Sequence, residues 1–385
     1  MDFLLSDIQM DTKRAAREFA EGEFPQIARE CDRDERMEMS LMQKARDLGF
    51  VGIWIDEKYG GMGLGFLETA LVMEEFWRVD PGLGSQIMCI PFGSEIISLF
   101  GSEGQKERYV KGVCQGGKIS AVAATEPDAG SDVLAISTRA VKQGGGYLIN
   151  GAKMFISNGD IADFFITLCL TDPDASAKTA RHSVIVIESD RPGVERNKIR
   201  GKLGIRAHDT AELTFSGVCL PEENLIGKQG KGFEYFMAFF NRSRTYVAAQ
   251  GVGIAQGALE LALAHVKKRR VFGKPLVENE IVQVHLAEMA TLTEAARNLV
   301  YKAAWKLDQG VVDPGLVSMA KWYAAEVGVK VTDMALQLHG GYGYIDEYHV
   351  SRFYRDAKRV EIYEGVKDVE KLVIGRHLLK GQVSF

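Results

Sequence analysis

The chain has 385 residues, of which 46% are hydrophobic and 26% charged, with a formal net charge of −5. That is enough apolar material for two or three packed cores, and it excludes a disordered chain. Acidic and basic residues are interspersed, so the charge gives no basis for a nucleic-acid or anionic-membrane partner.

The opening segment Met1 to Asp7 lacks both a basic-then-apolar signal pattern and an Arg-rich transit pattern, which points to the cytoplasm. No apolar run approaches the roughly 20 residues that cross a bilayer as a helix, so no membrane insertion is expected. Cys31, Cys89, Cys114, Cys169 and Cys219 are odd in number and form no CxxC pair, which argues against a disulfide framework or a thiolate zinc site.

Residues 1–118 read as an α-helical domain. Leu41, Ala45 and Leu48 share a face that stops at Gly49, and Leu67, Leu71 and Glu74-Glu75-Phe76-Trp77 continue the pattern. Residues 119–229 change to short β-rich runs, Phe164–Leu168, Ser183–Ile187 and Leu213–Phe215, punctuated by Gly144-Gly145-Gly146, Asp172-Pro173-Asp174 and Arg191-Pro192-Gly193. This is a middle β domain. Residues 230–385 return to long Ala/Leu/Glu-rich segments, Val247–Arg270, Ile281–Gln309 and Leu316–Gly340, whose lengths suit antiparallel helices of a bundle. The fold class is α+β, in the order α, β, α.

Within the β domain, Thr125-Glu126-Pro127-Asp128-Ala129-Gly130-Ser131-Asp132 and Gly151 to Gly159 bring small, polar and turn-forming residues to two neighbouring places. A planar ligand with an amide-rich edge suits them, because the Thr125 and Ser131 hydroxyls both donate and accept. Taken with Arg269-Arg270-Val271-Phe272-Gly273, Gln337-Leu338-His339-Gly340-Gly341-Tyr342-Gly343 and Ile362-Tyr363-Glu364-Gly365, the chain resembles the acyl-CoA dehydrogenase family of flavoproteins. The resemblance runs in order to Leu379. It implies an N-terminal helical domain, a middle β-barrel-like domain and a C-terminal four-helix bundle, with FAD as cofactor, electron-transferring flavoprotein as partner and a homotetramer built as a dimer of dimers.

Oxidising adjacent saturated carbons beside a thioester needs a base for the α-proton, polarisation of the carbonyl and a hydride acceptor. No side chain can be that acceptor, whereas a flavin can. The resemblance makes Glu364 the base, with its backbone N–H donating to the thioester oxygen. Tyr363 and Gly365 flank it as substrate-facing positions. Some relatives take the base from a position that corresponds to Ser243, whose hydroxyl has no accessible pKa for the task.

Flavin contacts implied by the resemblance are Val122, Ala124 and Thr125 on one strand and Phe155, Ile156 and Ser157 on another. Arg269, Phe272, Gln337, Gly340 and Gly341 of a neighbouring subunit would grip the diphosphate and adenine. Glu280, Val366 and Asp368 occupy further FAD-tail positions as departures from the common Gln, Thr and Gln, and two carboxylates beside a diphosphate are unfavourable unless they point away.

Ser131, Asn241 and Arg244 align with residues that contact the CoA arm. Glutaryl-CoA dehydrogenases carry an arginine for the distal carboxylate where Gly84 stands here, so an uncharged acyl group is expected, with Gly82 and Gly84 leaving room for an alicyclic or aryl one. No HExxH-like histidine set and no Gly-x-Ser-x-Gly elbow occurs, so neither a metal site nor a hydrolase is expected. Two alternatives stand beside a dehydrogenase: the same site running backwards as an enoyl-CoA reductase, and a non-catalytic CoA- or flavin-binding scaffold.

Overall fold

The structure is a computed structural model that describes residues 4–381. The first three residues of the opening segment lie outside the described residues.

Helices α1 (Asp7–Glu23), α2 (Ala28–Asp34), α3 (Met39–Asp47), α4 (Phe66–Val79), α5 (Pro81–Met88) and α6 (Ser94–Phe100) open the chain. A last helical run follows: α7 (Glu103–Gln105), a π turn at Lys106–Val110 and α8 (Lys111–Cys114). Helix α4 is buried nearly all round because α1, α9 and α10 pack on it. Its two successive acids are therefore buried and paired: Glu74 with Lys13 and Arg297, Glu75 with Arg17 and Arg78.

Helix α5 starts with Pro81 at its first position, where the missing N–H costs nothing, and Asp80 caps it by accepting from the Leu83 N–H at 2.9 Å. The other oxygen of Asp80 accepts from Arg352 at 2.8 Å, which ties α5 to a C-terminal helix.

Seven strands form one mixed sheet: β1 (Ser120–Ala123), β2 (Arg139–Gln143), β3 (Gly146–Ser157), β4 (Phe164–Leu170), β5 (His182–Glu188), β6 (Val194–Lys198) and β7 (Thr210–Pro221), with β1-β4-β2-β3-β7-β6 as the path and β5 on β4. Side chains alternate across a strand, so β4 can feed two cores. Phe164, Ile166 and Leu168 join the helical core, while Phe165 and Cys169 join a second core enclosed by the curled sheet. The three β-rich runs read from the sequence all fall inside strands.

After a small hairpin, β8 (Arg270–Val271) and β9 (Lys274–Pro275), the chain is helical again. Helix α9 (Gly232–Lys268) precedes the hairpin, and α10 (Glu280–Asp308), α11 (Pro314–His339), α12 (His349–Val360) and α13 (Lys367–Leu379) follow it. The three long helices pack on one another, with α12 against α9 and α11, and α13 against α11. Helix α9 begins at Gly232 rather than near Val247, because its aromatic first third packs on β5 and α6 rather than showing a regular apolar period.

Helix α9 departs from one premise of the sequence reading, that no run is apolar enough to cross a bilayer. It is long and apolar enough to cross a bilayer by length and composition, yet 67% of its most apolar stretch is buried inside the protein. It is apolar because α4, α10 and α11 surround it.

Candidate functional site

The turn between α12 and α13 carries Tyr363-Glu364-Gly365, and three elements hold it. Glu364 has φ +55°, a left-handed conformation uncommon for a residue with a Cβ, so its surroundings must fix it. From α9, Arg244 Nε donates to the Glu364 carbonyl at 2.8 Å, and Ser243 Oγ donates to Glu364 Oε2 at 2.6 Å. From α11, Lys321 donates to the Gly365 carbonyl in a short hydrogen bond. Among the described residues, the Glu364 N–H has no protein acceptor.

Gly365, at φ +104°, could not carry a side chain: a Cβ would stand 1.9 Å from Glu370 Oε1. Buried Glu370 in turn lies 3.3 Å from Arg244 Nη1, so Arg244 braces both ends of the turn. Burial pushes the Glu364 carboxyl above its ordinary range, opposed by the Ser243 hydroxyl and by the charges of Arg244 and Lys321. A half-buried carboxylate of raised basicity, held by a serine and a clamped backbone, is equipped to take a proton.

The two β-domain blocks come together as expected. The Met154 N–H donates to the Thr125 carbonyl at 2.9 Å, and Lys153 Nζ donates to the Ala124 carbonyl at 3.0 Å. Lys153 is wholly buried and paired at 2.9 Å with Glu126, which also accepts from Ser137 and Thr138. Burial alone would raise the Glu126 carboxyl, but Lys153 and these donors bring it down to about 2.

A register shift between β3 and β7 over Lys153 to Ile156 marks a bulge, and Phe155 sits in it at φ +59°. The bulge turns the Phe155 ring outward, 64% exposed, while Ile156 is buried beneath. Val122, Ala124, Thr125 and Ser157 are half-buried around it. Ser131 is exposed in the turn beyond, and Asn241 is half-buried on α9 one turn before Arg244.

Arg269, Gln337, Gly340 and Gly341 line a cavity of about 610 Å³ at the far end of α9. Arg269 stacks on Tyr342 with 5.6 Å to the ring centroid, and a Cβ at either glycine would meet nothing within 4 Å. A guanidinium and two bare glycines lining one cavity suit a diphosphate. Phe272, at the hairpin tip, is fully exposed. Glu280 and Asp368 are exposed in the first turns of α10 and α13, where acids favour the helix dipole, and Val366 occupies the position just before α13 without a side-chain cap. None of these three lines the cavity.

One reading of the acyl end needs correction. Gly84 and Gly82 do not open space for bulk: a Cβ at Gly84 would meet Trp77 at 2.9 Å and Phe76 at 3.1 Å, and one at Gly82 would meet Ala207 at 3.0 Å. They let α5 pack closely on α4 and on the loop before β7. Arg359 of α12 reaches α5 from the other side, with Nη1 3.3 Å from Ser85 Oγ, Nη2 3.2 Å from Ser157 Oγ, and its guanidinium 4.4 Å from the Tyr363 ring centroid.

Residues 6–117, 121–218 and 230–379 match, in turn, the acyl-CoA dehydrogenase N-terminal, middle and C-terminal domains. The chain belongs to the acyl-CoA dehydrogenase family. It is therefore an oxidoreductase acting on acyl-CoA, and FAD is its cofactor. It is 40% identical to the acryloyl-CoA reductase (NADH) of Anaerotignum propionicum over 99% of this chain and 96% of that protein. Among solved structures, butyryl-CoA dehydrogenase of Megasphaera elsdenii superposes with a TM-score of 0.95 at 38% identity, covering 98% of this chain and all of that one. A chain from a structure of the electron transferring flavoprotein of Acidaminococcus fermentans, described with flavin-based electron bifurcation, reaches 0.96 at 39% identity over 99% and 100% of the two chains.

Reasoning from the sequence missed Ser243 as a partner of Glu364, the Lys153–Glu126 pair, the Lys321 and Glu370 supports and Arg359. Each depends on a pairing between distant elements. It also missed Glu95 of α6, buried and pushed to about 7 by that burial, with the Tyr246 hydroxyl at 2.7 Å and the Gly93 N–H at 2.9 Å opposing it.

Proposed function

We propose that the enzyme oxidises an acyl-CoA thioester to its 2-enoyl-CoA, with Glu364 removing the α-proton. The observation that carries this is the Glu364 turn: a carboxylate of raised basicity beside a backbone N–H that no protein group uses. Such an N–H donates to the thioester oxygen and stabilises the charge that develops as the α-proton leaves. Thr125, Phe155 and Ser157 would hold the FAD ring, which when bound would supply the acceptor for the β-hydrogen.

Ser131, Asn241 and Arg244 face the CoA arm in this reading, and Arg244 has the second duty of fixing the Glu364 carbonyl. Arg244, in the first third of α9, and Arg269, at its C-terminal end, stand roughly 25 residues or about 37 Å apart at 1.5 Å per residue. One copy therefore presents a ring-and-base site beside the first third of α9 and a diphosphate cradle at its C-terminal end. That separation supports an oligomer, which we take as the homotetramer, in which a neighbour's Arg269, Phe272, Gln337 and Gly340 close each FAD site. Electrons leave to electron-transferring flavoprotein in the cytoplasm, where the five unpaired cysteines stay reduced.

Anaerobic titration of the yellow protein with a panel of acyl-CoAs tests the reading: bleaching of the flavin is expected, and a flavin that no thioester bleaches would refute it. The likeness to the acryloyl-CoA reductase supports a second reading, the same residues returning a proton and hydride to an enoyl-CoA. Turnover of enoyl-CoA with reduced flavoprotein against acyl-CoA with the oxidised form decides the direction.

A further inference from the structure

We propose that Arg359 binds an anionic group at the far end of the acyl chain, so that the substrate class is a dicarboxylic acid mono-CoA thioester. This rests on the acyl-CoA reading above and extends it.

The guanidinium of Arg359 is half-buried at the end of α12, five residues before Glu364. It bridges two walls: Ser85 on α5 at 3.3 Å and Ser157 at the end of β3 at 3.2 Å, with the Tyr363 ring as a third surface. Those two hydroxyls engage two of the five N–H donors that a guanidinium carries. No carboxylate among the described residues pairs with it, whereas its helix neighbours Arg352 and Arg355 are paired with Asp80 and Asp32.

Burial drives His208 well below its ordinary range and the charges of Arg359, Lys202 and Lys198 add to it, while burial together with Arg359 holds Lys202 down at about 8 against the opposing charges of Asp209 and Glu35. Both ring nitrogens of His208 lack a partner. A half-buried cation beside a neutral histidine and a second cation is costly unless an anion completes it. The position selects the anion. Tyr363 stacks on the guanidinium and is bonded in sequence to Glu364, so a chain whose α-carbon meets Glu364 can run past Tyr363 toward Arg359. A carboxylate accepts two parallel N–H bonds from a guanidinium.

The test compares glutaryl-CoA and adipyl-CoA with their monomethyl esters, which match them in shape without the charge. Flavin bleaching gives kcat/KM, and calorimetry on dithionite-reduced enzyme, which has no hydride acceptor left, gives binding alone. The free acids are expected to be favoured about 10–100-fold, the value of a charge-assisted hydrogen-bond pair. Arg359→Met should erase that preference, and Arg359→Lys should keep part of it.

Esters that bind and bleach as well as the acids overturn the proposal. So does an Arg359→Met protein that loses its flavin absorbance while the wild type shows no preference, for the guanidinium then serves the flavin. If the variant does not fold, the wild-type ratio of acid to ester decides. Failure of every thioester to bleach would refute the dehydrogenase reading, and the reduced-enzyme binding ratio would still judge the anion site.

Discussion

Ser243 donates its hydroxyl to Glu364 Oε2 at 2.6 Å, joining α9 to a turn 121 residues later in the chain. The position that some relatives use for a base thus meets the proposed base. A serine there supplies a proton donor instead of a rival carboxylate. It stabilises the ionised form of Glu364 against the burial that raises its pKa.

Removing that donor should move the pH profile in a defined direction. In Ser243→Ala the Glu364 pKa rises further, and the base works only when ionised. The acid limb of the kcat/KM profile should shift to higher pH, with a larger loss at low pH than on the alkaline plateau. An unchanged limb would show that another group titrates there.

Glu364→Gln keeps the size of the side chain and its bond to Ser243 but cannot take a proton. We expect unchanged flavin absorbance and a fall in the anaerobic bleaching rate of about 10²–10⁴-fold, the usual worth of a general base. A variant as fast as the wild type would remove Glu364 from the mechanism.

The Lys153–Glu126 pair should matter for stability. Glu126→Gln leaves Lys153 buried without its anion, at a cost of about 3–5 kcal/mol. Thermal unfolding should shift down by several degrees, and FAD retention should weaken because Lys153 also ties the Ala124 carbonyl. In the wild type, the Glu126 pKa lies below its ordinary 4.5, so this contribution is complete above that pH and fades as pH falls toward about 2. Denaturant midpoints measured down the acid range should show the fade in the wild type and lack it in the variant.

Gly365→Ala places a methyl group 1.9 Å from Glu370 Oε1 at a φ that L-residues rarely adopt. The turn must shift, and the Glu364 carboxyl shifts with it. We expect a loss of bleaching rate larger than the loss of thermal stability, read by stopped-flow absorbance beside a melting curve.

Much of this was legible in the sequence because it is local. The α, β, α order follows from periodicity and the β4 and β5 runs from their apolar β-branched and aromatic composition, while Glu364 stood out only through the family resemblance that Ile362-Tyr363-Glu364-Gly365 helps to carry. The meaning of Gly84 was not legible, since a glycine that makes room for a ligand and one that lets Trp77 approach look alike until the packing partner is known. Arg359 was hidden for a similar reason. It sits in the basic run Arg355 to Arg359, where Arg355 pairs with Asp32 and Lys358 with Glu361, and only the fold separates the one that turns inward.

Helix α9 carries two half-sites, one in its first third and one at its C-terminal end, that face different copies of the chain in the proposed assembly. Holding the cofactor and holding the subunits together would then draw on one shared free energy. Diluting the protein would strip flavin, and adding flavin would drive association, so the yellow colour of a preparation would report how much of it is assembled.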